Sequence, residues 1–279
     1  MSDFTPGNLV TLSPLVHRVV ANNAGMMTGP GTNTYLIGTQ QIAVIDPGPA
    51  NAEHIDAILA GAESIGGSIQ WILCTHTHID HSPGAALLKA KTNAIVCGLP
   101  APEGISQDTD FRPDQHWHDG SELECEEFCI SAIHTPGHAS NHLCFLLNNE
   151  ELLFTGDHLM NGSTVVISPP DGNMQHYLQS LEKLKNYNIR NLAPAHGDIL
   201  PNPSEVIEGT IKHRLQREQK VIERLTQLKT CDIDTLTSSV YDDVPAFLHP
   251  IAKMSLLAHL EKLSTENKAN QSQQQWSAC

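Results

Sequence analysis

Short apolar runs alternate with amphipathic stretches between Val16 and about Pro201. The apolar runs are three to six residues long and are bounded mainly by Gly, Pro and Asn, which is typical of buried β-strands. Apolar residues at helical spacing predict helices at Asn51–Ile65, Ser82–Lys89 and Met174–Leu184. The predicted strands are Val16–Val20, Thr34–Ile37, Ile42–Ile45, Ile69–Leu73, Ile95–Cys97, Phe128–Ile133, His142–Leu147, Leu152–Phe154 and Asn191–Ala193.

The pattern changes at the segment Pro201-Asn202-Pro203-Ser204. Proline and asparagine favour a loop, and Ser204 is a suitable N-cap for a long helix over about 205–228. Two shorter helical patterns follow at about 233–241 and 246–263, and the Gln-, Ser- and Asn-rich end is expected to fray. We therefore predict a larger domain at 1–203, a helical domain at 204–264 and a flexible tail at 265–279.

The chain is acidic, and the acidity is concentrated in the larger predicted domain. Its 279 residues contain 16 Lys and Arg against 31 Asp and Glu, a net charge of −15. Residues 1–203 alone contain 7 basic and 21 acidic residues. This balance disfavours extended contact with a phosphate backbone, and an aromatic content of 5% leaves few side chains for base stacking.

Composition also bears on the compartment. A hydrophobic content of 40% is sufficient for a packed core, but no apolar run approaches the ~20 residues that span a bilayer. The N-terminal residues have neither the basic nor the apolar region of a signal peptide. The seven cysteines are odd in number and lack framework spacing. We expect a cytoplasmic protein with reduced thiols and no membrane partner.

Three histidines and one carboxylate fall within six residues of the loop that leaves the predicted strand Ile69–Leu73. They are His76, His78, Asp80 and His81. Imidazole and carboxylate are the ligands that a zinc-like divalent ion prefers. A loop, unlike a strand, can direct the first two side chains to one ion and the last two to another. A single histidine beside a strand is more often structural, but this density of ligands favours a metal site.

Three later loops also follow predicted strands and carry one candidate ligand each. They are Thr135-Pro136-Gly137-His138, Thr155-Gly156-Asp157 and Ala195-His196-Gly197. A glycine adjoins each candidate and allows the backbone to come close to a site. The recurrence of one ligand type at three strand ends favours a two-metal site.

Through these seven candidate ligands and their order along the chain, the sequence resembles the metallo-β-lactamase superfamily over roughly residues 15–200. The resemblance implies an α/β fold, a four-layer αββα sandwich with the metals at one edge of its two sheets. It also implies a first metal held by His76, His78 and His138, a second held by Asp80, His81 and His196, and Asp157 bridging both. The zinc enzymes that degrade antibiotics place Cys where Asp157 stands, which disfavours that activity.

Three further motifs are similar to the β-lactamase-like-protein-2 subgroup of this superfamily. They are the Gly29-Pro30-Gly31-Thr32-Asn33-Thr34-Tyr35-Leu36 run, Ile45-Asp46-Pro47-Gly48 and the pattern His213-Arg214-x-x-Arg217-Glu218. The subgroup includes an endoribonuclease and carries a winged-helix-like C-terminal domain, which the resemblance implies here. The residues Ser140-Asn141-His142 and 163–174 are more similar to uncharacterised bacterial hydrolases of the subgroup.

The metal chemistry and the resemblance together predict a dinuclear zinc hydrolase, with Mn²⁺ or Fe as alternative metals. Two such ions activate a bridging hydroxide at neutral pH. Asp80 is the predicted catalytic residue, because it would orient this hydroxide as well as bind metal. The predicted substrate is a small ester, thioester or related electrophile, and a homodimer is an expected assembly.

Two other activities are consistent with the same ligands. One is a phosphodiesterase or single-strand endoribonuclease, with single-stranded RNA as its partner. The other is a mononuclear iron sulfur dioxygenase, because iron held by two histidines and a carboxylate keeps open positions.

Several residues near the predicted ligands have two interpretations. Asp46 either accepts a hydrogen bond from a ligand imidazole or stabilises its turn. Asn33 either reaches substrate or is a simple loop residue. His213 and Arg214 either begin a basic ridge that grips a substrate anion or lie on a solvated face beside interleaved Glu residues. His142, next in chain order to ligand loops, is expected to be structural.

Overall fold

The computed structural model describes residues 3–105 and 107–279, which cluster into two compact units. The first unit comprises Met1–Thr135, Asn141–Thr164 and Asn188–Pro203. The second comprises Pro136–Ser140, Val165–Tyr187 and Ser204–Cys279. The division after Pro203 lies where the sequence predicts a boundary, but the second unit also takes two earlier segments. The segment Val165–Tyr187 belongs there because its helix packs against a C-terminal helix.

The first unit contains a seven-stranded sheet in which the strands follow chain order. Its first four strands are antiparallel, and the last four run parallel to one another. The strands are β1 (Leu9–Thr11), β2 (Val16–Val20), β3 (Asn33–Ile37), β4 (Gln41–Ile45), β5 (Ser68–Leu73), β6 (Ile95–Gly98) and β7 (Gln115–His116).

Two helices make the crossovers between the parallel strands of this sheet, as parallel pairing requires. Helix α1 (Ala52–Ile65) joins β4 to β5, and helix α2 (Gly84–Thr92) joins β5 to β6. The Asn51 side chain caps α1 by accepting the N–H groups of Glu53 and His54. Both helices bury apolar side chains against one face of the sheet.

A second sheet of six strands completes the first unit. Its spatial order is β13-β12-β11-β10-β9-β8, and only the pair β11 and β12 is parallel. The strands are β8 (Glu122–Glu124), β9 (Cys129–His134), β10 (Leu143–Leu147), β11 (Leu152–Gly156), β12 (Asn191–Pro194) and β13 (Leu200–Pro201).

The two sheets face each other across one apolar core. Aromatic pairs join them, with Tyr35 against Phe154 at 4.9 Å between ring centroids and Trp71 edge-on to Phe128 at 6.3 Å. This packing brings the carboxyl ends of the parallel strands β4 and β5 near those of β11 and β12. The loops that carry the candidate ligands leave these strand ends.

The second unit contains four helices and a small sheet. They are α3 (Met174–Leu184), α4 (Pro203–Leu228), α5 (Ile233–Val240), α6 (His249–Thr265) and the strands β14 (Thr230–Cys231), β15 (Ala269–Ser272) and β16 (Gln275–Ala278). Helix α4 begins at a proline, two residues before its predicted start, because proline fits the first helical position. Its C-terminal half packs with α5, α6 and the small sheet around Val221, Leu225 and Leu256.

The C-terminus differs from the prediction of a flexible tail at 265–279. Strands β15 and β16 form an antiparallel hairpin, and β16 also pairs with β14. Trp276 is only 4% exposed and contributes to the core of the second unit. The polar composition favoured a flexible tail, but most residues of this hairpin are polar because they are exposed, and one buried aromatic side chain anchors it. Edge strands of two or three residues elsewhere also escaped prediction, since they are too short to show alternation.

No helix in the described part of the chain combines the length and the apolar character needed to cross a membrane.

The hairpin yields a first prediction. Replacing the buried indole by Trp276→Ala leaves a cavity, and we expect the free energy of unfolding of the second unit to fall by about 3–5 kcal/mol. Urea denaturation followed by circular dichroism measures the change. The matched control is Gln271→Ala, an exposed position of the same hairpin, which should change stability by less than about 0.5 kcal/mol. Equal effects of the two substitutions would mean that the hairpin does not anchor this unit.

Candidate metal centre

Four of the predicted ligands lie in the loop after β5, and the structure divides them into two groups. The first group contains His76 and His78, together with Asp157 from the loop after β11, and one ligand atom of each lies within 4.8 Å of the others. The Nε2 atom of His76 and the Nδ1 atom of His78 face each other at 2.9 Å. Two imidazole nitrogens in this arrangement can share one ion held at about 2.0–2.1 Å from each.

The second group contains Asp80 and His81 from the same loop and His196 from the loop after β12. The Oδ2 atom of Asp80 lies 3.5 Å from Nε2 of His81 and 3.3 Å from Nε2 of His196. The carboxylate of Asp157 lies beside this group too, with Oδ1 3.3 Å from His196 Nε2 and Oδ2 3.5 Å from His81 Nε2. Asp157 therefore belongs to both groups, in the position that a bridging ligand would take.

The Asp46 carboxylate, at the end of β4, connects the two groups. Its Oδ1 accepts the backbone N–H of Thr75, and its Oδ2 accepts the Thr75 hydroxyl, both at 2.8 Å. The same Oδ2 accepts Nδ1–H of His81 at 2.9 Å. Asp46 has φ of 50°, a conformation that costs a non-glycine residue about 1–3 kcal/mol. These three hydrogen bonds hold the residue in that conformation, so it both shapes its turn and orients an imidazole.

This network decides which ring nitrogens carry a proton. Because a carboxylate only accepts, His81 donates from Nδ1 and directs Nε2 into the second group. Thr75 gives its hydroxyl proton to Asp46, so its oxygen accepts Nδ1–H of His76 at 3.0 Å. His76 then directs Nε2 into the first group. One carboxylate thus fixes the tautomer of one histidine in each group.

His142 holds the backbone of Asp157, a role that sequence reasoning missed. Its Nε2 accepts the Asp157 N–H at 3.2 Å, while Nδ1 lies 2.9 Å from the hydroxyl of Thr135. Gly156 precedes Asp157 with φ of 49°, and a Cβ atom there would overlap both His142 and Thr75. The prediction placed His142 inside a strand, whose alternation turns neighbours apart, but β10 begins one residue later at Leu143. Only the glycine was a signal of this close approach.

Asn33 holds a ligand loop in place, a role that neither of its two interpretations included. The side chain is fully buried, and its amide donates to the carbonyl oxygens of Pro194 at 2.9 Å and Gly197 at 2.8 Å. It therefore clamps the loop that carries His196. The Nδ1–H of His196 donates to the carbonyl of Gly31 at 3.2 Å, and this bond directs Nε2 into the second group.

His138 lies in a loop of the second unit, and its Nδ1–H donates to the carbonyl of Val166 at 2.7 Å. The Ser180 hydroxyl donates to the carbonyl of Pro136, at the start of the same loop, at 2.8 Å. Gly137 has φ of 147° and lies so close to α3 that a Cβ atom would overlap the backbone of Tyr177. Because Nδ1 of His138 donates to Val166, Nε2 is the atom through which His138 would coordinate a metal.

The basic residues of α4 match neither predicted interpretation. Arg214 is buried within the second unit, donates to the carbonyl of Val165 and lies over the Tyr177 ring at 5.3 Å. Arg217 forms a two-pronged ion pair with Asp243 at 2.8 and 2.9 Å, rather than pairing with a Glu of its own helix. Further along α4, Lys220 and Arg224 pair with Asp242.

His213 is the last residue of this predicted set. It is exposed on α4, but desolvation together with the positive charges of Arg214 and Arg217 lowers its pKa. The charges of Arg217, Lys220 and Arg224, which we call the basic ridge of α4, are offset by Asp242 and Asp243 in the segment after α5.

In the second group, the effect of neighbouring opposite charges on the pKa values outweighs the effect of burial. Burial lowers the pKa of His196, but the carboxylates of Asp157 and Asp80 outweigh it and raise that pKa to about 9. Burial raises the pKa of Asp80, but His81 and His196 outweigh it and lower that pKa to about 2. Without metal, protons on the imidazoles balance the carboxylates at neutral pH.

The donor set fits zinc-like divalent ions. The buried Nε2 of His81 has no hydrogen-bond partner among the described residues, and carboxylate oxygens lie at 3.5 Å on either side of it. Nitrogen and carboxylate donors in this mixture are typical of zinc, although manganese and iron accept the same set.

Comparison with known families agrees with the fold. The profile of the metallo-beta-lactamase superfamily matches residues 27–196, and that of the beta-lactamase associated winged helix domain matches residues 233–276. The crystal structure of a metallo-beta-lactamase family protein from Thermus thermophilus has a TM-score of 0.78. It is 19% identical and covers 96% of this chain and 100% of its own, which is a likeness of fold. The predicted α/β class and winged-helix-like domain are confirmed.

Two curated relatives are similar over much of the chain. A beta-lactamase-like protein 2 homolog of Caenorhabditis elegans is 30% identical over 257 residues, which are 90% of this chain and 85% of that protein. The atrochrysone carboxyl ACP thioesterase dmxR1 of Cryptosporiopsis sp. (strain 8999) is 32% identical over 221 residues. That match covers 78% of this chain but 65% of the thioesterase, so the chain spans slightly less than two thirds of that relative.

The Asp46 network yields a second prediction. Asp46→Asn replaces one carboxylate oxygen by an NH₂ group, which donates and cannot accept. The side chain then has one accepting oxygen for the three donors that Asp46 binds, so the hydrogen bond from Nδ1–H of His81 is weakened or lost. We expect affinity for Zn²⁺ to fall by about 10- to 100-fold. Competition with a chromophoric chelator measures this. Asp56→Asn is the control, because Asp56 forms an exposed ion pair with Lys91. The Zn²⁺ affinity of this variant should match that of the parent protein.

A third prediction concerns pH. Because the pKa of His196 is raised to about 9 without metal, zinc must displace its proton at any lower pH. The apparent affinity should therefore rise by about tenfold per pH unit for each displaced proton between pH 6 and 8. Isothermal titration in buffers of different ionisation enthalpy counts the protons released. An affinity that is independent of pH over this range would exclude protonated imidazoles in the metal-free site.

Proposed function

This chain belongs to the metallo-beta-lactamase superfamily, and from this premise we propose that it is a dinuclear zinc hydrolase of thioesters or related small esters. In the reaction, water adds its hydroxyl to the acyl carbon, the carbon–sulfur bond breaks, and the thiol leaves with the remaining proton. The observation that carries the proposal is the pair of ligand groups that share Asp157.

When bound, two divalent ions supply Lewis acidity and a water molecule of lowered pKa. In this proposal, His76, His78 and His138 would hold one ion, Asp80, His81 and His196 would hold the other, and Asp157 would contribute to both. His138 would coordinate through Nε2, because its Nδ1 donates to Val166. The orphaned Nε2 of His81 between two carboxylates supports the second ion in particular.

The chain's own residues orient the attacking water. Asp80 lies at the edge of the second group, where its Oδ2 is 3.5 Å from the hydroxyl of Thr32. We assign Asp80 the role of accepting a hydrogen bond from the water and holding its oxygen toward the acyl carbon. Asp46 and Thr75 keep the imidazoles in the tautomers that this arrangement needs.

Charge supports a thioester over RNA. The first unit contains most of the acidic residues, and the basic ridge of α4 is offset by Asp242 and Asp243. A phosphodiester strand needs an unopposed positive field along several nucleotides. The thioesterase name of one relative supports the same choice. Two ligand groups also favour two zinc ions over one iron, since a single ion would leave the second group without a role.

A fourth prediction tests this function. We expect zinc-loaded protein to hydrolyse members of a panel of S-acyl N-acetylcysteamine thioesters and lactones. His78→Ala should reduce kcat/KM by at least about 100-fold and lower the zinc content measured by mass spectrometry. The control is His116→Ala, an exposed histidine outside both groups, which should behave like the parent protein.

Three outcomes would contradict this proposal. Absence of metal-dependent turnover on every member of the panel would exclude the hydrolase assignment. Cleavage of unstructured RNA that is lost in His78→Ala, without turnover of thioesters, would favour a ribonuclease. One iron per chain instead of two zinc ions would favour oxygen chemistry.

A further inference from the structure

A cavity of about 500 Å³ opens beside the second ligand group, entirely within the first unit. This volume lies in the range of small-molecule sites. One wall is His196, whose Nε2 lies 3.3 Å from both Asp80 and Asp157. The cavity therefore begins where the reacting group of a substrate would lie. The side chains that carry the argument are Phe4, Met26, Met27, Pro30, Met160 and His196.

Apolar side chains from three separate segments of the chain line much of the cavity, together with the polar Asn161 and Ser163. Met26 and Met27 form the tip of a tight turn closed by pairing of Gly25 with Gly29, and they are 68% and 52% exposed. Large apolar side chains exposed together beside a candidate site indicate that a ligand covers them. Methionine is unbranched and polarizable, so it adapts to flexible chains of varied shape.

The described residues that line the cavity offer little to an anion beyond the metal end. Apart from His196 at that end, Asp198 is the charged side chain among them, and no Lys or Arg occurs in that lining. The nearest guanidinium, that of Arg18, is fully buried, lies 3.7 Å from Asp198 and stacks on the Phe4 ring at 4.3 Å. Arg18 also donates to the carbonyl of Asp3 at 2.9 Å. The Arg18 side chain therefore holds Phe4 and Asp198 in the wall of the cavity, and its guanidinium does not face a bound ligand.

We propose that this cavity binds the acyl chain of the substrate and selects an uncharged, medium-length aliphatic chain over acyl groups that end in a carboxylate. The proposal rests on the proposed function, since it names the substrate class of the same site. The scissile carbonyl would lie at the His196 end, and the chain would extend between the methionines. Among the described residues that line the cavity, a terminal carboxylate would find no Lys or Arg, and the acidic Asp198 disfavours it.

Binding can be tested without catalysis. The probe is octan-2-one, which has a carbonyl and an alkyl chain but no leaving group, and its anionic counterpart is 7-oxooctanoate. The readout is the methyl spectrum of protein labelled with ¹³C-methyl methionine, recorded with and without zinc. The signals of Met26, Met27 and Met160 should shift with octan-2-one. Met174, buried in α3, and Met254, exposed on α6, should not.

We expect 7-oxooctanoate to bind at least about tenfold more weakly than octan-2-one. Equal affinity for the two probes would overturn the charge argument. Shifts at Met254 as large as those at Met27, or no shift at Met26, Met27 and Met160, would overturn the cavity assignment.

Selectivity is tested on S-acyl N-acetylcysteamine thioesters from acetyl to decanoyl. We expect kcat/KM to rise by about two- to fourfold per methylene until the cavity is filled. Met27→Lys should lower kcat/KM for the octanoyl ester by a factor at least about tenfold larger than for the acetyl ester. The control Met254→Lys should change neither. A loss independent of acyl length, or rates that do not depend on chain length, would overturn the proposal.

The experiments distinguish failure of the proposed hydrolase function from failure of the acyl-binding cavity. Methionine shifts with octan-2-one but no turnover of any ester would support the cavity and exclude the proposed hydrolase. Turnover without shifts and without chain-length dependence would support the hydrolase and exclude the acyl cavity.

Discussion

The Asp46 carboxylate is the contact on which the candidate metal centre depends. It binds His81 directly and His76 through Thr75, so one side chain orients an imidazole in each ligand group. The left-handed backbone of Asp46 places this carboxylate, and its hydrogen bonds to Thr75 offset the conformational cost. The β4 turn and the loop after β5 therefore stabilise each other through these hydrogen bonds.

The convergence of the ligands follows from sheet topology. Strands β4 and β5 are parallel, as are β11 and β12, so the loops that leave each pair lie at one edge of their sheet. The aromatic core between Tyr35 and Phe154 sets the two edges opposite each other. Residues as distant in sequence as Asp80 and His196 thereby come within 3.3 Å. The hydrophobic pairing of sheets, rather than any local preference of the loops, supplies the precision of the site.

Sequence patterns predict some parts of this molecule far better than others. The strands that fill the core and the helices α1 and α3 were predictable because their apolar spacing is regular over several residues. The candidate ligands of the loop after β5 stand out in the sequence because several side chains of metal-binding type lie in one short segment, and the structure brings them close together. The clamp by Asn33 and the support by His142 were not, since each depends on a carbonyl or N–H group that only the tertiary fold brings near. The hairpin around Trp276 escaped for a related reason, because one buried aromatic outweighs many exposed polar neighbours.

Charge connects the metal centre to the choice of substrate. An acidic first unit lowers the energy of cations at its ligands and raises the energy of any anion that approaches them. In the second unit, Asp242 and Asp243 offset the helix ridge, so the basic residues of α4 do not reverse this balance. Arg18, the basic side chain nearest the cavity, is buried against Phe4 and Asp198. The same distribution that favours holding divalent ions therefore favours a substrate whose bound portion is uncharged, and the methionine-lined cavity beside His196 offers that portion an apolar surface.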